Sequence, residues 1–177
     1  MIHMKYIKLL GLLFFIGCAS VNVVSDYDSK TNFTQYKTFL FFEDAGKGLN
    51  ELDVKRIERE IIAGLESKGL NTAESPTFLI NIVAEERTSE NRNTIGVGIG
   101  GGGNVGFGIS GGIPIGRKKV SQQLMIDFVD AKTNELVWQG IAKTEMKVRA
   151  TPEERKAYYK KVIAKILEEY PPKKPQK

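Results

Sequence analysis

The chain has 177 residues, 41% hydrophobic and 27% charged, which fits one globular domain plus a targeting signal and excludes a disordered or all-membrane protein. The formal net charge is +5; residues 1–17 hold Lys5 and Lys8 and no acid, so the remainder carries 24 Lys and Arg against 21 Asp and Glu, a net +3. That mild balance, without a basic helix interleaved with aromatics, argues against nucleic acid as a partner.

The N-terminus is the first informative segment. Lys5 and Lys8 form a short basic region, and Leu9-Leu10-Gly11-Leu12-Leu13-Phe14-Phe15-Ile16 follows as an apolar run. Basic, then apolar, then small is the layout of a secretory signal. The run is shorter than the roughly 20 apolar residues of a transmembrane helix. Phe15-Ile16-Gly17-Cys18 resembles the bacterial lipobox, in which a small residue precedes an invariant cysteine. The resemblance implies a diacylglyceryl group on the Cys18 thiol, removal of residues 1–17 and acylation of the new amino terminus. Several acyl chains anchor stably because each buried methylene adds about 0.8 kcal/mol. Ala19 and Ser20 follow; the absence of aspartate there implies, by the same resemblance, delivery to the periplasmic face of the outer membrane. Residues 18–20 are then a lipidated tether.

The body, residues 21–172, reads as a single domain. Val21 to Tyr27 alternates partially and is the first expected strand. Tyr36 to Glu43 is a denser one, whose run Phe39-Leu40-Phe41-Phe42 predicts burial on both faces. Asn50 caps a helix with Asp53 three residues on; Val54, Ile57, Ile61 and Leu65 form its apolar stripe, and Gly69 ends it. Phe78 to Ala84 is the next strand, followed by polar residues from Glu85 to Asn93. Ser121 to Val129 and Leu136 to Val148 should pair as an antiparallel hairpin about the turn Asp130-Ala131-Lys132-Thr133-Asn134-Glu135. Trp138 is the expected core anchor. Thr151-Pro152-Glu153-Glu154 is a helix start with a capping box. Tyr159, Val162, Ile163, Ile166 and Leu167 form that helix's buried stripe, Pro171-Pro172 stops it, and residues 173–177 are a basic tail. The expected fold is α+β: a mostly antiparallel sheet with two helices packed on one face.

Residues 95–116 contain eleven glycines in twenty-two positions. Gly98, Gly100 and Gly103 fit G-x-G-x-x-G, as do Gly106, Gly108 and Gly111, but Ile113-Pro114 opens no helix behind them and no Gly-Lys-Ser/Thr follows, so no nucleotide is expected. Ile95, Val97 and Ile99 alternate with glycine, and so do Val105, Phe107 and Ile109. Each run is a strand pattern with one apolar edge and one bare face. With Gly101-Gly102-Gly103-Asn104 as the turn, the stretch reads as a glycine-rich hairpin or flap for docking a partner. A disordered glycine loop and a membrane-inserting hairpin are the other readings, although a pore's lumen face is normally polar.

Cys18 is the only cysteine and His3 the only histidine. Beyond the leader this excludes Ser-His-Asp and Cys-His catalysis and His/Cys zinc sites. No cofactor, metal or catalytic residue is assigned. Glu85 and Glu86, adjacent on a strand, point to opposite faces, and Glu153 and Glu154 suit the dipole of a helix start. Asp26, Tyr27 and Asp28 read as a solvated strand end rather than a cation site, and Tyr158 and Tyr159 as helix-packing aromatics rather than a sugar platform.

Val23-Val24-Ser25-Asp26-Tyr27-Asp28 and Asn32-Phe33-Thr34-Gln35-Tyr36-Lys37-Thr38-Phe39 resemble the opening of the bacterial lipoproteins grouped as domain of unknown function 4136. Asp130-Ala131-Lys132-Thr133 with Leu136-Val137-Trp138-Gln139-Gly140, and Ile163 to Leu167 with Tyr170-Pro171-Pro172, continue the likeness. It implies lipoprotein class and an α/β fold, and carries over no catalytic residue. The expected function is a non-enzymatic binding or assembly module, held at a membrane by its lipid and meeting an envelope protein partner. A carboxylate- or tyrosine-based hydrolase or lyase, and a pore or secretion component using the glycine-rich hairpin, are the alternatives.

Overall fold

The computed structural model describes residues 21–89, 94–95, 113–114 and 119–173. In chain order these form β1 (Asn22–Tyr27), a 3-10 turn (Phe33–Gln35), β2 (Thr38–Phe41), α1 (Glu51–Glu66), β3 (Asn71–Thr72), β4 (Phe78–Ser89), β5 (Thr94–Ile95), β6 (Ile113–Pro114), β7 (Lys119–Asp130), β8 (Leu136–Lys147) and α2 (Pro152–Glu168). Six strands make one sheet in the order β1-β8-β7-β4-β2-β3. The pairs β1–β8, β8–β7 and β7–β4 are antiparallel, whereas β2 lies parallel to both β4 and β3. The fold is α+β with a mostly antiparallel sheet, as expected. The parallel pairs follow from α1, which carries the chain back so that strands on either side of it run the same way.

Alternation decides the faces. Phe78, Ile80, Ile82 and Ala84 of β4, Gln122, Leu124, Ile126 and Phe128 of β7, and Trp138, Ala142 and Thr144 of β8 are buried beneath the helices. From above, α1 contributes Ile57, Ile61 and Leu65, and α2 contributes Tyr159, Val162, Ile163, Ile166 and Leu167. Each such side chain stabilises the fold by about 1.5–3 kcal/mol relative to exposure. The helices run side by side in the same direction: Asp53 in the first turn of α1 meets Arg155 in the first turn of α2, and Gly64 meets Leu167 near their ends. Among the described residues, no helix lies on the opposite sheet face.

The helix boundaries have the anticipated chemistry. The Asn50 side chain accepts from the Asp53 amide at 3.0 Å, and Thr151 with Glu154 forms a reciprocal capping box. Beyond α1, Gly69 takes φ +80, while the Leu70 amide donates to Leu65 and the Gly69 amide to Glu66. This is a Schellman ending, which needs the left-handed conformation that glycine adopts freely.

Two strand expectations are corrected. The second strand spans only Thr38–Phe41, and it is not buried on both faces. Phe39 is fully buried but Leu40 is exposed, because Leu40 points to the sheet face without helices. The third strand runs on to Ser89, since polar residues from Glu85 onward still pair with β7. Val137 and Trp138 are buried in succession because a register shift after Phe128 sets Val129 opposite Leu136, leaving Val137 as the extra residue of a bulge.

Candidate functional site

The resemblance-bearing segments, far apart in sequence, meet at one end of the sheet. β1 delivers Tyr27, the 3-10 turn Phe33, the approach to β2 Tyr36, and the chain after α2 Tyr170. Phe33 is the hinge of the group, with ring centroids 6.0 Å from Tyr27, 6.2 Å from Tyr36 and 5.9 Å from Tyr170. Beneath them Tyr170 meets Phe128 edge-on at 4.8 Å and Trp138 edge-on at 5.3 Å, so the cluster is continuous with the core. Aromatic pairs at such spacings add about 0.5–1.5 kcal/mol beyond the area they bury.

Above this aromatic floor opens a cleft of about 770 Å³, between the Ser29–Lys37 loop on one side and Leu70 with Pro171 and Pro172 on the other. Lys30, Lys37 and Lys68, all exposed, line it, and among the described residues no Asp or Glu does. The nearest acids are committed to their own turns. Asp28 accepts from the Lys30 amide and the Thr31 hydroxyl, each at 2.9 Å, and these bonds hold its carboxyl below the usual range. Asp130 accepts from the amides of Lys132 and Thr133 and from the Tyr36 hydroxyl at 2.8 Å, which lowers its pKa. Asn134 closes that turn at φ 57, a conformation Asn tolerates. Burial, reinforced by the bond to Asp130, pushes the Tyr36 hydroxyl up to about 12. Burial likewise raises Tyr170. These hydroxyls are therefore neutral at physiological pH. The cleft offers cations, ring faces and neutral hydroxyls: binding chemistry for an anion with an apolar face.

A second polar cluster lies in the core near the helix starts. Asp53, 2% exposed, receives Arg56 at 2.7 Å, Arg155 at 2.6 Å and the Asn50 amide group at 2.8 Å. Gln122 donates to Glu86 at 3.0 Å and accepts from the Tyr158 hydroxyl at 3.1 Å, and Tyr158 also bonds Thr144. Asp53 is fully partnered, so the cluster ties α1 to α2.

The sequence-derived candidates are distributed as follows. Cys18 lies outside the described residues, as do Val97, Ile99, Val105, Phe107 and Ile109 of the glycine-rich hairpin. Ile95 is paired through its backbone with Ile113, and Thr94 with Pro114. In these pairs, as in every β4–β7 pair, the residue numbers add to 208, so the short ladder keeps the register of the long one. Glu85 and Glu86 are both exposed, and Glu154 pairs with Lys147 at 2.6 Å. Asp26 and Asp28 are exposed at the end of β1. Tyr159 is buried and edge-on to Tyr158 at 5.0 Å. Among the described residues no three His, Cys, Asp or Glu side chains gather as a metal site, and no helix is long and apolar enough to cross a membrane. The lysines of the cleft were not singled out by sequence. The aromatic motifs at both chain ends were the available signal, but nothing local says that they touch.

Known structures share this architecture at low identity. A PDZ domain protein from Parabacteroides distasonis is 18% identical with a TM-score of 0.54; the alignment covers 87% of this chain and 37% of that one, so the chain spans little over a third of that protein. A PelC dodecamer from Paraburkholderia phytofirmans is 12% identical with a TM-score of 0.50, covering 84% of this chain and 95% of that one. At these identities the likeness is one of fold alone. No curated protein matches the chain. The family model described as Domain of unknown function (DUF4136) matches residues 23–172, which include both helices, the cleft and nearly all of the sheet, and the chain belongs to that family.

Proposed function

We propose that the protein is a lipid-anchored, non-enzymatic binding module of the bacterial envelope, tethered through Cys18, that receives an anionic ligand with an apolar or ring face in the aromatic cleft. The observation that carries this reading is the cleft's lining: three lysines and four aromatic rings with no carboxylate among the described residues. A tyrosine-based hydrolase is the weaker reading, because the Tyr36 proton is committed to Asp130 and its pKa is far above neutrality. The test is a chemical-shift titration of residues 21–177 with trigalacturonate and with its neutral methyl ester. Charged trimer should perturb Tyr27, Phe33, Lys37 and Tyr170, the ester much less, and the triple variant Lys30→Glu/Lys37→Glu/Lys68→Glu should abolish the response. Equal perturbation by the ester, or none by either ligand, overturns the cleft reading.

A second reading, assembly with a second copy of the chain, is favoured by the sheet face that no described element covers. Register aligns Val24, Ile141, Met125 and Val83 in one apolar row across four strands, and Leu40, Leu79, Val129 and Leu136 in another. Val24 is 62% exposed and Leu136 52%. Flanking apolar rows of this extent are a common mark of a protein contact. Sedimentation equilibrium that stays monomeric across a wide concentration range would exclude self-assembly through this face.

A further inference from the structure

The two edges of the six-stranded sheet are unequal. β3 is only two residues long, whereas β1 spans Asn22–Tyr27 and contains neither lysine nor proline, the residues that usually keep an edge strand from pairing. The Asp28 amide donates to Val137 and the β1–β8 register runs without a bulge, so the even-numbered residues of β1 turn their backbone groups toward β8. Those of Val23, Ser25 and Tyr27 face outward. The Asp26 carboxylate already accepts from the Tyr27 amide at 2.9 Å. Among the described residues, no strand pairs with this outer edge and no hydrogen bond engages the Val23 and Ser25 amides.

That pattern of free and occupied amides fits one antiparallel pairing of β1 with a second β1. Val23 opposite the partner's Ser25 exchanges both backbone bonds and needs only the free amides. A twofold axis then passes beside Val24, which meets the partner's Val24 in a non-hydrogen-bonded pair, where side chains approach most closely. Shifting the register to set Ser25 on the partner's Ser25 would need the Tyr27 amide that Asp26 holds, and would place Val24 against the partner's Asp26. The side chains of the open face agree with the first register. The apolar row Val24, Ile141, Met125 and Val83 continues into the same row of the second copy. Two residues along, Asn22 lies between Lys143 of its own sheet and the partner's Asp26. Lys143 is exposed, and its Cα is about 10 Å from that of the partner's Asp26, one hydrogen-bonded and one non-hydrogen-bonded spacing, so its ammonium reaches across Asn22 to the carboxylate. The twofold repeats this contact. An exposed ion pair adds little affinity, but like this it fixes register. The other acids near the edge are engaged: Asp28 within its own turn, Asp127 by the Gln139 amide group at 2.7 Å, and Glu145 by a partner of its own. On the helix face, α2 stands over β8, with Ile166 against Gly140. The two α2 helices would be three strand spacings apart, about 14 Å, wider than the roughly 8–10 Å of packed helices, so they do not collide.

We propose that β1 is a self-complementary edge through which two copies of the chain join antiparallel, Val24 on the partner's Val24, into one continuous sheet. The contact differs from a stacking of open faces and is independent of what the cleft binds. A single strand pair is small beside the roughly 1,200–2,000 Å² of stable complexes, so the dimer is a reversible one.

Oxidative trapping tests this on the full chain, in the cells that express it, with copper phenanthroline as the catalyst. Opposed Cα atoms in a non-hydrogen-bonded pair are about 4.5 Å apart, within the span of a disulfide. Val24→Cys should give a covalent dimer on a non-reducing gel, several-fold above the unsubstituted chain, whose only cysteine is Cys18. Asn22→Cys, exposed on the same face of β1, should stay at that baseline, because its two copies would lie about 14 Å apart. Ser25→Pro combined with Val24→Cys removes an outward amide, leaves the β1–β8 ladder intact and should abolish the dimer. Equal trapping by Asn22→Cys and Val24→Cys, or none by Val24→Cys, overturns the pairing. A Val24→Cys dimer that survives Ser25→Pro also overturns it and assigns the contact to the open face instead.

Discussion

Gly140 illustrates how tightly α2 is seated. A Cβ there would lie 2.6 Å from Ile166 Cγ2 and 2.6 Å from the Trp138 ring, so the helix approaches β8 only because the side chain is absent. Gly140→Ala should cost about 1–3 kcal/mol by overpacking, read as a lower urea midpoint at unchanged slope. Asp53 is the electrostatic counterpart. Its carboxylate sits between two guanidinium groups, and removing a buried partner of this kind costs about 3–5 kcal/mol. Arg56 and Arg155 keep partial solvent access, so Asp53→Ala is expected near 3 kcal/mol, measured by the same denaturation. Tyr36 adds a pH signature. Its pKa is raised when folded, so its contribution is intact below the ordinary tyrosine value near 10 and is lost as pH climbs toward 12, where the unfolded chain ionises first. Tyr36→Phe should cost about 1 kcal/mol at neutral pH through the lost bond to Asp130. It should also flatten the decline in stability between pH 10 and 12, with Tyr159 and Tyr170, raised still further by burial, leaving a residual slope.

At the level of elements, the capping chemistry of α2 is local and testable. Thr151→Ala removes the acceptor for the Glu154 amide and should lower stability by about 1 kcal/mol, with the loss visible as fraying in hydrogen exchange at the first turn of α2. Such local features were legible in the chain: both caps, both helical stripes, the β7–β8 turn and the burial of Trp138 are all where short-range chemistry puts them. What was hidden is long-range. The parallel seat of β2 beside β4 depends on where α1 returns the chain, and the bulge at Val137 depends on what faces it across two strands. Leu40 looks buried because its neighbours are apolar, yet no described element covers the face to which it points. The aromatic cleft was half legible. Tyr27, Phe33, Tyr36 and Tyr170 stand in recognisable motifs, but the lysines joining them come from two loops, Ser29–Lys37 and the chain after α1, whose proximity only the fold creates.

For the whole molecule, one sheet separates two environments. Its cleft end gathers rings and cations around a cavity, and β1 starts at its other end. In the function we propose, anchor and cleft are complementary: the lipid fixes where the module stands, and the cleft determines what it can hold there. The proposed anchor at Cys18 is tested most directly by mass spectrometry of the amino-terminal peptide from the membrane fraction. The expected peptide begins at Cys18 and carries a thioether-linked diacylglyceryl group and an amide-linked acyl chain. A peptide that retains residues before Cys18, or a free Cys18 thiol, would contradict it.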